Sequence, residues 1–292
     1  MAYYRATVRR TARVTPGMIR VTLGGDELTD YDAKGLADDY CRVLFPHPGE
    51  REPVIPVEVD GAEQVPQGAV AAPVRNYTIR RHDRVDGEVD IDFVVHAGGV
   101  GATWAREAVV GDSVALTPAH GTYQPPADAG WEVLVGDATA LPAMGRIVEE
   151  LPAGRRAVVV GIVEGPAEEQ LWHSRGDVEV RWLHEASADK LAAALTAAVR
   201  DVALPEGTGY VWVAGEAAAT RAARKYLRHE LGLPGAQYST LGYWRFDDEA
   251  WERRYKEVAT QVDERLAAAN EQFPDDDDYY DAVDKIYEDH GL

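Results

Sequence analysis

Four consecutive residues, Arg75, Asn76, Tyr77 and Thr78, carry side chains that can act together on a large planar ligand. An arginine can make paired hydrogen bonds to a pyrophosphate, and a tyrosine ring can stack on a planar heterocycle. A threonine hydroxyl can hydrogen-bond a ring nitrogen. Strand alternation places Arg75 and Tyr77 on one face and Asn76 and Thr78 on the other. The set could therefore hold a flavin dinucleotide, although an ordinary surface strand with a solvated arginine is the alternative.

A glycine-rich stretch follows the next predicted strand and has the composition of an anion-binding turn. Its positions of interest are His96, Gly98, Gly99, Val100, Gly101, Ala102 and Thr103. Glycines let backbone amides approach an anion closely, and a helix predicted from Ala102 to Ala108 adds positive potential at its N-terminus. A tight turn without a ligand is the alternative. The place of the stretch after the Arg75–Thr78 strand favours the anion site.

Two further strand ends in the second half of the chain would meet at one edge of a sheet. The residues at these ends are Gly136, Asp137, Thr139, Ala140, Leu141, Pro142 and Glu216. Thr139 is a candidate N-cap, and Pro142 suits a first helical turn. The carboxyl edge of a parallel sheet is where α/β domains bind ligands. A capped helix start is the alternative for the first group, and a cap or solvated charge is the alternative for Glu216.

Hydrophobic patterning divides the chain into three parts. Residues 1–125 contain short, β-branched runs separated by turn signals such as Asp86-Gly87, which predict a small antiparallel barrel. Residues 126–246 alternate buried-type strands with helices, which is typical of a parallel doubly wound sheet. Residues 247–292 predict an acidic helical extension that frays around Asp275 to Asp278.

Composition limits the function classes. A net charge of −20 argues against nucleic-acid binding, and no apolar run approaches the roughly 20 residues that span a bilayer. The basic N-terminus has no apolar signal region. The single cysteine, Cys41, and scattered histidines predict neither a disulfide nor a metal or iron–sulfur site. We therefore expect a cytoplasmic protein without nucleic-acid or membrane partners, whose electrons would move through an organic cofactor; the oligomeric state stays open.

Taken in order, these motifs resemble the siderophore-interacting protein family of FAD-dependent ferric-siderophore reductases, which includes vibriobactin-utilisation proteins. The matching stretches are RNYTIRR, DFVVHAGGVGATWA, GDATALPAMGRIVEELP, VWVAGEAAATRAARKYLRHELGL and GYWR. The resemblance implies a ferredoxin-reductase-like fold, with an N-terminal antiparallel FAD-binding barrel and a C-terminal nicotinamide-binding parallel-sheet domain. It also implies that electrons pass from NADH or NADPH through FAD to the Fe(III) of a ferric siderophore.

The resemblance also implies roles for individual residues. Arg75 would meet the FAD pyrophosphate, Tyr77 would stack on the flavin, and Thr78 would hydrogen-bond near its reactive nitrogen. His96 and the loop from Gly98 to Thr103 would hold the FAD phosphates. The edge residues from Gly136 to Pro142, with Glu216, would shape the nicotinamide site. The chain departs from the family where its glycine loop reads Val-Gly-Ala, one residue shorter than usual, and where a longer tail follows GYWR.

The basic residues after GYWR suggest a docking site for an anionic ferric chelate. The acidic tail contains one dense basic cluster, formed by Arg245, Arg253, Arg254 and Lys256. Arg245, Arg253 and Lys256 are the candidate substrate residues, and Trp244 and Trp251 could contact a catechol ring. The alternative is that these cations pair with neighbouring acids on a solvated helix face.

The nucleotide and the reaction each leave alternatives open. Glu164 could accept a ribose hydroxyl and favours NADH. Four arginines could instead serve a 2′-phosphate, namely Arg155, Arg156, Arg175 and Arg224. A general flavin or electron-transfer reductase, and a non-catalytic flavin- or siderophore-binding module, are the alternative functions.

Overall fold

The computed structural model describes residues 2–59, 61–96, 98–273 and 276–292, and its first half is a curled antiparallel sheet. Its strands are β1 (Tyr4–Thr15), β2 (Met18–Gly24), β3 (Tyr40–Leu44), β4 (Val57–Val59), β5 (Ala62–Gln64), β6 (Val74–Thr78), β7 (Arg81–Asp83), β8 (Glu88–Val94) and β9 (Ser113–Leu116). Seven of them pair in the order β6-β3-β9-β1-β2-β8-β7, and β4 and β5 form a separate hairpin. One helix, α1 (Val100–Glu107), lies between β8 and β9.

The register of β6 confirms the alternation expected from the sequence. Tyr77 lies opposite Cys41 of β3, and Arg75 lies opposite Val43. Cys41 and Val43 are fully buried in the core, so Arg75 and Tyr77 lie on the core-facing side of the sheet. Thr78 consequently lies on the outer side, opposite Tyr40.

The second half is a five-stranded parallel sheet with helices packed on it. Its elements are β10 (Trp131–Asp137), α2 (Leu141–Glu150), β11 (Arg156–Val163), β12 (Asp177–His184), α3 (Ala188–Asp201), β13 (Gly209–Glu216), α4 (Ala217–Lys225) and β14 (Tyr238–Trp244). The strand order is β12-β11-β10-β13-β14, so the chain reverses direction across the sheet between β10 and β13. A ligand crevice forms at the carboxyl ends of strands at such a reversal. The barrel and the parallel sheet predicted from the sequence are both confirmed.

Some predicted boundaries are wrong by a few residues. The strand expected over residues 74–81 ends at Thr78, and α1 begins at Val100 rather than Ala102. Ala140, not Thr139, occupies the N-cap position of α2. The Thr139 hydroxyl instead donates to Asp137 Oδ1 over 2.6 Å, so it does not serve as a cap acceptor. Pro142 does lie in the first turn of α2, as its fixed φ favours.

The acidic extension forms a helical hairpin, α5 (Asp248–Gln272) and α6 (Asp276–Asp289), which packs on α4 and the turn after it. Arg224 of α4 is buried; its guanidinium donates to Asp281 at 2.8 Å and also to Asp284. Arg228 contacts Asp278. The predicted fraying is therefore wrong for Asp277 and Asp278, which lie in α6, while Asp275 lies outside the described residues.

Side chains from both halves join the barrel to the parallel sheet. Glu168 accepts hydrogen bonds from the Thr15 hydroxyl at 2.6 Å and from the Gly17 N–H at 2.9 Å. Arg80, just after β6, pairs with Glu149 of α2 at 2.7 Å. The first pair of contacts ties the β1–β2 turn to the parallel-sheet half, and the Arg80–Glu149 pair ties the end of β6 to it. In the described ranges, no helix is both long and apolar enough to cross a membrane.

Candidate functional site

Arg75 is the candidate pyrophosphate ligand, and its guanidinium is available. The residue is exposed, and the hydrogen bond found for its guanidinium runs to the carbonyl of its own neighbour Val74, at 2.8 Å. Within the described part of the chain, no carboxylate lies within ion-pair distance of it. In a protein with a net charge of −20, a cation left without an acid partner fits an anionic ligand.

Tyr77 links the β6 strand to the glycine turn. Its ring packs 4.3 Å from the Phe93 ring, and burial raises the pKa of its hydroxyl to about 12, so the phenol stays protonated. A methyl group added at Gly101 would lie 1.9 Å from the Tyr77 hydroxyl. Only glycine therefore allows α1 to approach the tyrosine this closely. Stacking of Tyr77 on a flavin stays a prediction, since part of the ring surface packs on the core.

The glycine turn leaves its backbone amides open to an anion. Gly98 and Gly99 adopt left-handed φ angles of 81° and 79°, which favour glycine. Gly99 is the N-cap of α1, and no side chain of the described residues caps this helix, so its first-turn N–H groups have no side-chain acceptor among them. The His96 ring packs against Gly99, where an added methyl group would lie 2.7 Å from the imidazole. Ala97 lies outside the described residues. This arrangement fits the phosphates of FAD.

Thr78 lies where the barrel meets the parallel sheet. Its side chain is buried, and its hydroxyl lies beside that of Tyr243, near the end of β14, where it counteracts part of the rise in the Tyr243 pKa. The Tyr243 hydroxyl is buried and has no hydrogen-bond partner among the described residues. Burial strongly raises its pKa, so it stays a donor. A buried donor without an acceptor beside Thr78 is what a site for the flavin edge would contain.

Asp137 connects three strand ends at the carboxyl edge. One carboxylate oxygen accepts from the Thr139 N–H at 2.9 Å and from its hydroxyl. The other accepts from the Glu216 N–H at 2.9 Å and the Trp244 indole at 2.8 Å. The group is fully enclosed, and this burial raises its pKa. All four acceptor positions are occupied, so Asp137 shapes the edge rather than binding a ligand directly.

Glu216 caps α4, which is the alternative noted from its sequence position. Its Oε2 accepts from the N–H groups of Ala218 at 2.7 Å and Ala219 at 3.0 Å. Its Oε1 accepts from the N–H of Phe246 at 3.3 Å. The carboxylate thus ties β13 to the chain after β14. Its role in shaping a nicotinamide site stays a prediction.

Arg245, Arg253 and Lys256 do not form one cluster. The Arg245 guanidinium is half-buried over the indole of Trp251, 3.6 Å from the ring centroid. Arg253 and Lys256 are exposed on α5, and Lys256 lies 3.5 Å from Glu252, as the helix-face alternative expects. Through the described ranges, no contact joins Arg253 or Lys256 to Arg245. Their contribution to substrate binding stays a prediction, with Arg245 the best-placed member.

The arginines considered for a 2′-phosphate are poorly placed. Arg224 is buried against Asp281 and Asp284, so it is not available to a nucleotide. Arg155 and Arg156 lie at the amino end of β11 and Arg175 lies just before β12, at the opposite end of the sheet from the ligand edge. At roughly 3.3 Å per residue, β11 separates them from that edge by more than 20 Å. Glu164 directly follows β11 and does lie at the carboxyl edge.

The antiparallel sheet followed by a five-stranded parallel sheet is the ferredoxin-reductase-like fold. The family model for the siderophore-interacting FAD-binding domain matches residues 7–123, and that for the siderophore-interacting protein matches residues 129–247. This chain therefore belongs to the siderophore-interacting protein family.

Named relatives and a solved structure support this membership. The chain is 28% identical to the NADPH-dependent ferric-chelate reductase of Escherichia coli over 74% of this chain and 83% of that protein. It is 27% identical to the ferric vibriobactin reductase ViuB of Vibrio cholerae over 90% of this chain and 94% of that protein. A siderophore utilization protein from T. fusca superposes with a TM-score of 0.74 at 34% identity, covering 84% of this chain and 94% of that one.

Two site residues escaped the sequence reasoning. Tyr243 lies beside Thr78, and the Trp244 indole donates to Asp137. The sequence indicated Tyr243 only as part of the GYWR motif, and Trp244 only as a candidate contact for a catechol ring. The available signal was their position at the end of the last strand of a parallel sheet, at the same edge as Asp137 and Glu216.

Proposed function

We propose that this protein is an FAD-dependent reductase that oxidises NADH or NADPH and reduces the Fe(III) of a ferric siderophore, so that iron is released as Fe(II). The observation that carries the proposal is the meeting of Thr78 with Tyr243. It brings the end of the strand suited to flavin against the edge suited to a nicotinamide. A protein that only bound a flavin would have no need for the second edge.

Each predicted residue has a defined task in this proposal. Arg75 and the open amides after Gly99 hold the two phosphates of FAD, and Tyr77 and Thr78 orient its ring. Bound FAD would supply the conversion from a two-electron hydride donor to one-electron transfer. Asp137 fixes the edge on which the nicotinamide lies. We further propose that residues 1–125, 126–246 and 247–292 act as the flavin domain, the nucleotide domain and an extension.

The proposed substrate is an anionic ferric chelate, and it must approach a strongly acidic protein. Screening at physiological salt acts over about 8 Å, so a local cation decides what the pocket attracts. Arg245 at the end of β14 is that cation. The iron stays in its chelator, so no protein ligand to iron is required. A cytoplasmic location, where NADH and NADPH are available, suits this reaction.

The test is a steady-state assay of the FAD-loaded protein with NADH and NADPH, several ferric chelates and a colorimetric Fe(II) trap. We expect Fe(II) release that depends on both the nucleotide and FAD, with kcat/KM higher for siderophore-type chelates than for free flavins. Reduction of free flavin with no preference for iron chelates would favour the general flavin reductase. A yellow protein that neither nucleotide bleaches would favour a binding module.

A further inference from the structure

The helical hairpin α5–α6 contacts the proposed substrate cation directly. Arg245 follows β14, and the next residue, Phe246, is hydrogen-bonded to Glu216 at the carboxyl edge. Trp251 lies in the first turns of α5, and the Arg245 guanidinium lies over its indole, 3.6 Å from the ring centroid. The matched family region ends at residue 247, so the residue that contacts the cation lies beyond it.

Aromatic neighbours fix the Trp251 indole. The Tyr255 ring stacks on it with centroids 5.0 Å apart and planes 22° apart, and the Tyr287 ring of α6 meets it edge-on at 6.1 Å. The Arg245 guanidinium and the two tyrosine rings therefore all contact this one indole. They cover ring surface that a stacked catechol would need. The indole acts on Arg245, not on the ring of a substrate.

The hairpin itself is held in place on the nucleotide half. Arg224 of α4, whose side chain is only 7% exposed, pairs with Asp281 and Asp284 of α6. Breaking such a buried pair leaves an uncompensated charge, so the hairpin is a fixed part of the fold. The Trp251 ring consequently has a defined position relative to β14.

Among the residues that the structure describes, no acid lies within ion-pair distance of Arg245. Its Nη1 is buried with no hydrogen-bond partner among the described residues, and the same holds for Nε1 of Trp251. Asp248 and Glu216 are the nearby acids and Arg221 is the nearby cation; burial and Arg221 together lower the pKa of Arg245. Two buried donors without acceptors, one on the guanidinium and one on the indole that it contacts, suit an oxyanion of a ligand.

We propose that Trp251 is a positioning residue for Arg245, and that the α5–α6 hairpin is thereby part of the site that selects anionic ferric chelates. This inference rests on the proposed ferric-chelate reduction. Arg253 and Lys256 follow Trp251 by two and five residues, which rotates them about 140–200° around the helix from it. They lie on the side of α5 away from the site, and only the Trp251 side reaches Arg245.

The test compares Trp251→Leu, Trp251→Phe and Arg245→Leu in the FAD-loaded protein, with ferric citrate as the anionic chelate and a neutral ferric hydroxamate as the reference. A cation–π contact of this kind predicts that Trp251→Leu raises KM for ferric citrate by about 2- to 30-fold, with little change for the neutral chelate. Trp251→Phe, which retains a ring face, should recover most of this loss. The rate of flavin reduction by NADPH should stay at the wild-type value in both Trp251 variants.

Tyr226→Leu is the matched control, because it removes an equivalent contact, that of the Arg200 guanidinium 4.3 Å from the Tyr226 ring, away from the site. The double variant Trp251→Leu/Arg245→Leu distinguishes an effect on KM that acts through Arg245 from one caused by a general loss of stability. If Trp251 acts through Arg245, the double variant has the KM of Arg245→Leu alone. Additive losses, or an equal loss for both chelates, would overturn the inference while leaving the proposed function intact. A wild-type protein that reduces no ferric chelate would overturn the proposed function, and the inference with it.

Discussion

Replacing Asp137 with asparagine tests the claim that one buried carboxylate organises the nucleotide edge. The carboxylate is only 1% exposed and accepts four hydrogen bonds, two on each oxygen. The missing side chain of Gly215 leaves it room, since an added methyl group there would lie 2.3 Å from Oδ2. An amide of the same shape changes the hydrogen bonding without changing the packing.

The size of the effect follows from the donors. An amide nitrogen cannot accept, so at least one N–H loses its acceptor in either orientation. The better orientation turns the amide nitrogen towards Thr139, whose hydroxyl can rotate to accept, and leaves the Thr139 N–H unpaired. One buried unpaired donor costs about 1–3 kcal/mol. If that cost falls on the transition state for hydride transfer, flavin reduction slows by about 5- to 150-fold.

Burial also gives this prediction a pH dependence. The pKa of Asp137 is raised in the folded protein, so the folded state holds this proton more tightly than the unfolded state does. Protonation of Asp137 contributes its full stabilisation of the folded state at pH values below the ordinary carboxyl pKa. This contribution is lost as the pH rises through the raised pKa of the folded state. Asparagine does not titrate. The stability difference between wild type and Asp137→Asn should therefore shrink as pH rises through this window.

The assay is stopped-flow reduction of the flavin by NADPH, followed separately by reoxidation of dithionite-reduced flavin with a ferric chelate. We expect Asp137→Asn to slow the first step and to leave the second near the wild-type rate. Glu132→Gln is the control, because Glu132 is another buried carboxyl near the far end of β10, where it accepts from the Tyr123 hydroxyl. Equal slowing by Glu132→Gln, or slowing of reoxidation instead, would refute the reasoning.

Three further predictions address the flavin strand and the hairpin. Arg75→Ala removes a charge-assisted contact worth about 1.5–3 kcal/mol, so FAD should dissociate about 10- to 150-fold more readily, measured by the fluorescence of released flavin; full occupancy would contradict the assignment. Tyr243→Phe removes a buried hydroxyl without a described partner, so stability in urea should hold within about 0.5 kcal/mol while the flavin absorption spectrum shifts; an unchanged spectrum would place the hydroxyl outside the flavin site. Asp284→Ala leaves the buried Arg224 charge with one ion-pair partner fewer and should destabilise the hairpin by about 3–5 kcal/mol, seen as faster limited proteolysis after residue 247; wild-type resistance would show that the pair is dispensable.

The sequence allowed the fold to be predicted because the two halves have different periodicities. Alternation in β6 placed Arg75 and Tyr77 on one face, and the structure has that register. The buried runs of β10 and β13 predicted a parallel sheet and its ligand edge. These patterns depend only on local burial, which a single sequence records directly.

Contacts between distant segments could not be predicted in the same way. The four arginines suggested for a 2′-phosphate were chosen by type, and only the sheet direction shows that Arg155, Arg156 and Arg175 lie at the wrong end. The acidic run from Asp275 to Asp278 was predicted to fray because the sequence does not show its ion-pair partner. Asp278 contacts Arg228, which lies 50 residues earlier in the chain. The sequence likewise grouped Arg253 and Lys256 with Arg245 in one basic cluster, but Arg245 contacts Trp251, which lies on a different side of α5 from the other two.

The most direct test of the central claim is an anaerobic single-turnover experiment. The FAD-loaded protein is reduced with a limiting amount of NADPH or NADH and then mixed with a ferric siderophore and an Fe(II) trap. We expect the nucleotide to bleach the flavin, and the ferric siderophore then to reoxidise it with the release of about two Fe(II) ions per nucleotide oxidised, since a hydride carries two electrons. A flavin that is reduced by the nucleotide but is not reoxidised by any ferric chelate would contradict it.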